Sequence, residues 1–156
     1  MYTDIFWIET PGKGKVGIMP RPRGGDWLEG EISYFKEEGV DAVVSLLTYP
    51  EICEFQLSEE ESLCNNYEID FFSVPVDDRC VPETIKEILD IVSDLNHLVQ
   101  QGKSIAIHCR QGIGRSSLLA ASVLTALGLS AKEAFKRIEC SRGREAPDTV
   151  EQKEWV

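Results

Sequence analysis

His108-Cys109-Arg110-Gln111-Gly112-Ile113-Gly114-Arg115-Ser116-Ser117 sets a cysteine six positions before an arginine, across a loop that holds two glycines. Residues 104–108 (SIAIH) predict a short buried strand and residues 116–127 (SSLLAASVLTAL) an apolar helix. The order is therefore strand, tight loop, helix N-terminus. Backbone N–H groups from Arg110 through Gln111, Gly112, Ile113 and Gly114 to Arg115 can curl inward around an oxyanion, with the positive end of the helix behind them. Gly112 and Gly114 permit the close backbone approach such a nest requires.

Each polar residue of the stretch has a chemical reason to be there. An ordinary thiol, with a pKa of about 8.5, is only slightly ionised at neutral pH, whereas one at a helix N-terminus beside a cation becomes a thiolate and a nucleophile. Cys109 occupies that position. Arg115 presents a planar fork of donors that grips two oxygens of a phosphoryl group, which the point charge of a lysine does not reproduce. Ser116 follows where a hydroxyl can donate to the Cys109 sulfur and help it leave, and His108 precedes it where an imidazole can brace the loop.

The stretch HCRQGIGRSS resembles the signature loop of the cysteine-dependent protein tyrosine and dual-specificity phosphatases. That resemblance implies an α/β fold with Cys109 at the carboxyl end of a central strand, hydrolysis of phosphate esters without a metal or cofactor, and catalysis by Cys109, Arg115 and Ser116. The short chain looks closer to the compact dual-specificity and kinase-associated types than to the larger tyrosine-specific domains.

Releasing an alkoxide or phenoxide from phosphate needs a proton donor, and Asp77 and Asp78 in residues 73–82 (SVPVDDRCVP) are the candidates. The family's acid loop, P-x-x-D-x-x-x-P, aligns Pro75, Asp78 and Pro82, which selects Asp78 and leaves Asp77 as the fallback. Near the C-terminus, Gln152 in residues 147–152 (PDTVEQ) matches a water-positioning glutamine of the family only in part. Thr149 and Gln152 equally fit a helix capping box. The acid loop would also bring Cys80 toward Cys109, where a disulfide would protect the nucleophile from over-oxidation.

The remaining sequence bounds the answer without adding chemistry. At 156 residues and 42% hydrophobic content, the chain is expected to form a single phosphatase domain over 1–156. No apolar run is long enough to span a bilayer and no secretory signal opens the chain, so a cytoplasmic location away from membranes is expected. Five cysteines without paired spacing argue against a disulfide framework or a zinc site. A net charge of −11 disfavours nucleic acid and leaves a phosphorylated protein or peptide as the expected partner. Two short basic groups, Arg21 with Arg23 and Arg142 with Arg144, would favour an acidic substrate if they flank the pocket. Arg142 is the better placed, and solvated loop arginines are the plainer reading of the first pair.

Strands are expected at 5–8, 16–19, 42–47, 69–74 and 104–108, with helical patterns between them, giving a central, mainly parallel sheet of five strands flanked by helices on both faces. Helices are expected over 25–38 and 83–101, the second with Ile85, Ile88, Leu89, Val92, Leu95 and Val99 on its buried face. Ser130 and Glu133 predict the cap of a last helix. The competing readings on such a scaffold are a phosphoinositide or RNA 5′-phosphatase, a phosphopeptide-binding module, and a rhodanese or arsenate reductase.

Overall fold

A computed structural model describes residues 2–76, 85–111 and 114–142, leaving the side chains of 85–87 and 142 aside. Strands β1 (Phe6–Ile8), β2 (Lys15–Pro20), β3 (Ala42–Ser45), β4 (Asp70–Ser73) and β5 (Ser104–Cys109) form one sheet in the order β1-β2-β5-β3-β4. All adjacent pairs are parallel except β1 with β2, which run antiparallel. All five strands lie where hydrophobic patterning places them, and β5 is the middle one. Parallel strands joined by helical crossovers bury both faces, which is why β3 reads AVVS and is buried throughout.

Helices α1 (Leu28–Glu37), α2 (Tyr49–Glu54), α3 (Glu60–Asn66), α4 (Ile85–Gln100), α5 (Gly114–Ala126) and α6 (Ala131–Arg142) cover the sheet. The period-two alternation of the strands sorts them into two cores. Val16, Ile18, Val44, Ile105, Ile107 and Cys109 face α4, α5 and α6, while Met19, Val43 and Ala106 face α1 and α3. His108, between two residues of the first set, points to the second side.

Among the described side chains of α4, which exclude that of Ile85, the buried stripe differs from its expected composition at Leu89. Ile88, Ile91, Val92, Leu95 and Val99 are buried, whereas Leu89 is 62% exposed. At 100° per residue Leu89 sits off the i, i+3, i+4, i+7 face that Ile88 begins, and Ile91 takes its place. Gly102 ends α4 at φ +90°, with Lys103 N–H donating to the Leu98 carbonyl at 3.0 Å. The predicted cap of α6 is formed by the Ser130 hydroxyl, which accepts from Glu133 N–H at 3.1 Å.

Candidate active site

Cys109 is the last residue of the central strand and α5 begins at Gly114, so the strand-loop-helix order expected of the cradle is present on both sides of the loop. Residues 112 and 113 lie outside the described residues. Cys109 is 3% exposed, and Arg115 and Ser116, in the first turn of α5, are buried. Ligands of open parallel sheets lie at the carboxyl edge of the strands, where all of these groups gather.

A buried guanidinium is costly unless its charge is met. Arg115 meets that requirement through α2. Its Nη1 donates to Glu51 Oε1 at 2.8 Å and its Nη2 to Glu51 Oε2 at 3.0 Å, a fork-on-fork ion pair. Nη1 also donates to the Val76 carbonyl at 2.8 Å. Glu51 is held in turn by Thr48, whose N–H and hydroxyl each donate to Oε1 at 3.0 Å at the start of α2. Burial alone would raise the Glu51 carboxyl. The hydrogen bonds from Arg115 and Thr48 and the Arg115 charge outweigh it and lower the pKa from 4.5 to about 2.

Behind the nucleophile, His108 and Glu60 form a second buried polar pair, with His108 Nε2 2.7 Å from Glu60 Oε2. The His108 carbonyl accepts from Leu46 N–H at 3.0 Å, tying the end of β5 to the chain leaving β3. The His108 Nδ1, Ser116 Oγ and Ser117 Oγ atoms are buried with no hydrogen-bond partner among the described residues. On α3, burial pushes the Cys64 thiol well above its ordinary range, and the nearby charges of Glu60 and Glu61 add to the effect, so this cysteine stays protonated.

The expected site residues separate into those the structure describes and those it does not. Cys109, Arg110 and Gln111 lie on the β5 side of the β5-to-α5 turn, and Gly114, Arg115 and Ser116 open α5 on the other. Arg110 pairs with Glu54 at 3.3 Å on the surface. Asp77, Asp78, Cys80, Pro82, Gln152 and the side chain of Arg142 lie outside the described residues. The approach to the acid segment is fixed nonetheless: Val74 N–H donates to the Ser45 carbonyl, Val76 N–H to the Leu46 carbonyl, and the Val76 carbonyl accepts from Arg115.

Two residues of the site escape sequence reasoning, Glu51 and Glu60. Glu51 had a legible signal, since Thr48-Tyr49-Pro50-Glu51 carries the T-x-x-E capping pattern with a proline in the first turn, which announces α2. Nothing local marks Glu60, because its partner is 48 positions away in sequence.

Residues 16–129 match the family model described as polymorphic toxin system, DSP-PTPase phosphatase. The chain is similar to cyclin-dependent kinase inhibitor 3 of Sus scrofa, 27% identical over 127 residues, and to that of Rattus norvegicus, 26% identical over 127 residues. Each alignment takes in 80% of this chain and 59% of the relative, so the chain spans little more than half the length of these curated relatives. Among solved structures, kinase associated phosphatase with its catalytic-site cysteine replaced by serine superposes with a TM-score of 0.90 at 21% identity, covering 99% of this chain and 92% of that one. At that identity the likeness is one of fold. The active form of Tk-PTP superposes with a TM-score of 0.71 at 26% identity, covering 95% and 91%. The family match runs from the second strand to the end of α5 and takes in the whole cysteine-to-arginine turn, and the chain belongs to the polymorphic toxin system DSP-PTPase phosphatases.

Proposed function

We propose that the protein is a metal-independent phosphoprotein phosphatase, acting on phosphotyrosine and also on phosphoserine or phosphothreonine through a phosphocysteine intermediate. The observation that carries this reading is the buried Arg115 guanidinium, locked by Glu51 and the Val76 carbonyl in the first turn of the helix that follows Cys109. A guanidinium used only for packing would not need a neighbouring cysteine at a strand end. Glu51 takes the edge formed by the two terminal nitrogens, and phosphate capture uses the edge that includes Nε.

In the first step the Cys109 thiolate attacks phosphorus in line, forming the S–P bond as the P–O bond to the leaving group breaks. Arg115 and the amides of residues 110–115 bind the remaining oxygens, and Asp78 transfers its proton to the departing oxygen. In the second step the Asp78 carboxylate takes a proton from water, the hydroxide attacks phosphorus, and the S–P bond breaks to return the thiolate. Ser116 donates to that sulfur, and Gln152 orients the water. Charge on the flattened phosphoryl group is met by fixed donors throughout, so the chemistry asks for no metal.

Turnover of phosphotyrosyl and phosphoseryl peptides in excess chelator, beside a phosphoinositide and a 5′-triphosphorylated RNA, tests the reading. Peptide hydrolysis that survives chelation and disappears in Cys109→Ser, with peptide binding retained, is the expected result. Turnover of the lipid or the RNA in preference to the peptides moves the protein to another substrate class, and near-normal turnover by Cys109→Ser removes the mechanism.

A further inference from the structure

Beside the cradle, the chain leaving β2 runs next to the chain leaving β5. Pro20 pairs with Cys109 in register, and Arg21 N–H donates to the Arg110 carbonyl at 3.4 Å. The side chains of these two arginines converge on one aromatic ring: the Arg21 guanidinium lies 3.9 Å from the Phe55 centroid and that of Arg110 lies 5.0 Å from it. Phe55 caps the C-terminus of α2, the helix whose first turn supplies Glu51 to Arg115. One short helix thus positions the cradle arginine at its start and an arginine shelf at its end.

The charges on the shelf are unevenly matched. Arg110 is paired with Glu54, and Arg23 is held by the buried carboxylate of Glu31 at 3.1 Å. Among the described residues, the Arg21 guanidinium donates only to the adjacent Pro22 carbonyl, at 3.2 Å, and has no carboxylate partner. Stacking on Phe55 fixes its guanidinium, so little side-chain entropy remains to be lost when an anion binds. A surface recess of about 290 Å³ opens there, lined by Arg21, Arg23, Trp27, Glu54 and Phe55 among others.

We infer that this shelf is a subsite for one carboxylate of the substrate, an Asp or Glu adjacent to the phosphorylated residue of a peptide, with Arg21 as the residue that reads it. The inference rests on the phosphatase reading for the identity of the group in the cradle. Net charge makes the point sharper: a chain of charge −11 repels acidic peptides at long range, but screening at about 8 Å lets one unmatched cation beside the pocket dominate locally. A headgroup with several phosphates fits less well, because Glu54 stands on the same shelf and would face the extra negative charge.

Equilibrium binding to the Cys109→Ser protein reads the shelf without turnover. Two phosphotyrosyl peptides, identical except for Glu or Gln beside the phosphoresidue, are expected to differ by roughly fivefold in affinity in favour of Glu. Arg21→Gln brings that ratio to about one, and Arg21→Glu reverses it toward a peptide with Lys at the same place. Equal affinity of the Glu and Gln peptides, or a preference untouched by Arg21→Gln, overturns the subsite. So does tighter binding to phosphoinositide-containing vesicles that depends on Arg21. Hydrolysis of p-nitrophenyl phosphate by the wild-type protein reports separately on the phosphatase reading, so the failure of one is told from the failure of the other.

Discussion

Glu51 receives both terminal nitrogens of Arg115, at 2.8 and 3.0 Å, and so the arginine of the cradle is aimed by a helix that belongs to a different part of the chain. Replacing Glu51 with Gln keeps the shape and removes the charge and one acceptor. A buried guanidinium that loses its counter-charge costs about 3–5 kcal/mol, and a misplacement of about 1 Å in a positioned group costs about a hundredfold in rate. Glu51→Gln is therefore expected to lower both the denaturation midpoint and kcat/KM, the latter by about a hundredfold. Urea unfolding and steady-state kinetics measure the two, and a variant with wild-type values in both removes Glu51 from the site.

The same pair predicts an acid limb of stability. The Glu51 carboxyl has a pKa of about 2 in the folded protein and an ordinary value of 4.5, so the folded state binds its proton less readily than the unfolded chain does. Its contribution, about 3 kcal/mol by the size of that depression, is fully present above pH 4.5 and is lost as pH falls toward 2. Stability measured between those two pH values should fall more steeply in the wild-type protein than in Glu51→Gln. Parallel curves for the two proteins sink the assignment.

Glu60 predicts a different balance between folding and function. It meets His108 at 2.7 Å with both side chains buried, and no solvent is at hand to replace the lost acceptor. Glu60→Ala is expected to destabilise the fold by about 2–4 kcal/mol, because it leaves a polar ring nitrogen and a cavity beside it. Glu60→Gln, which still accepts a hydrogen bond, should restore most of that loss. Thermal unfolding separates the two variants, and equal melting temperatures would contradict a structural hydrogen bond at this place.

Much of this architecture is legible in sequence because local physics writes it there. Ile105, Ala106 and Ile107 form a continuous apolar run, as a strand covered on both faces must, and the Ser130 and Glu133 pair announces α6 before any contact is known. Leu89 misleads because an apolar residue one position from the stripe satisfies a loose count of hydrophobes but not the 100° geometry. Glu51 and Glu60 are harder for a deeper reason. Each looks like a surface glutamate of a short acidic helix, and only tertiary packing, which brings Arg115 across 64 positions and His108 across 48, turns them into buried partners.

The proton donor yields the last prediction. Val76 N–H donates to the Leu46 carbonyl and the Val76 carbonyl accepts from Arg115, so the chain is pinned beside the cradle two positions before Asp78. An acid delivered there is needed in proportion to how poorly the leaving group departs alone. Asp78→Asn should lower kcat by about 10²–10⁴ on phosphoseryl peptides, whose alkoxide must be protonated, and far less on p-nitrophenyl phosphate, whose nitrophenolate leaves unaided. Because the acid acts in its protonated form, the variant should also lose the decline of activity toward high pH. Asp77→Asn serves as the counterpart: a larger leaving-group-dependent loss there assigns the acid to Asp77, and no such dependence in either variant places the donor outside this segment.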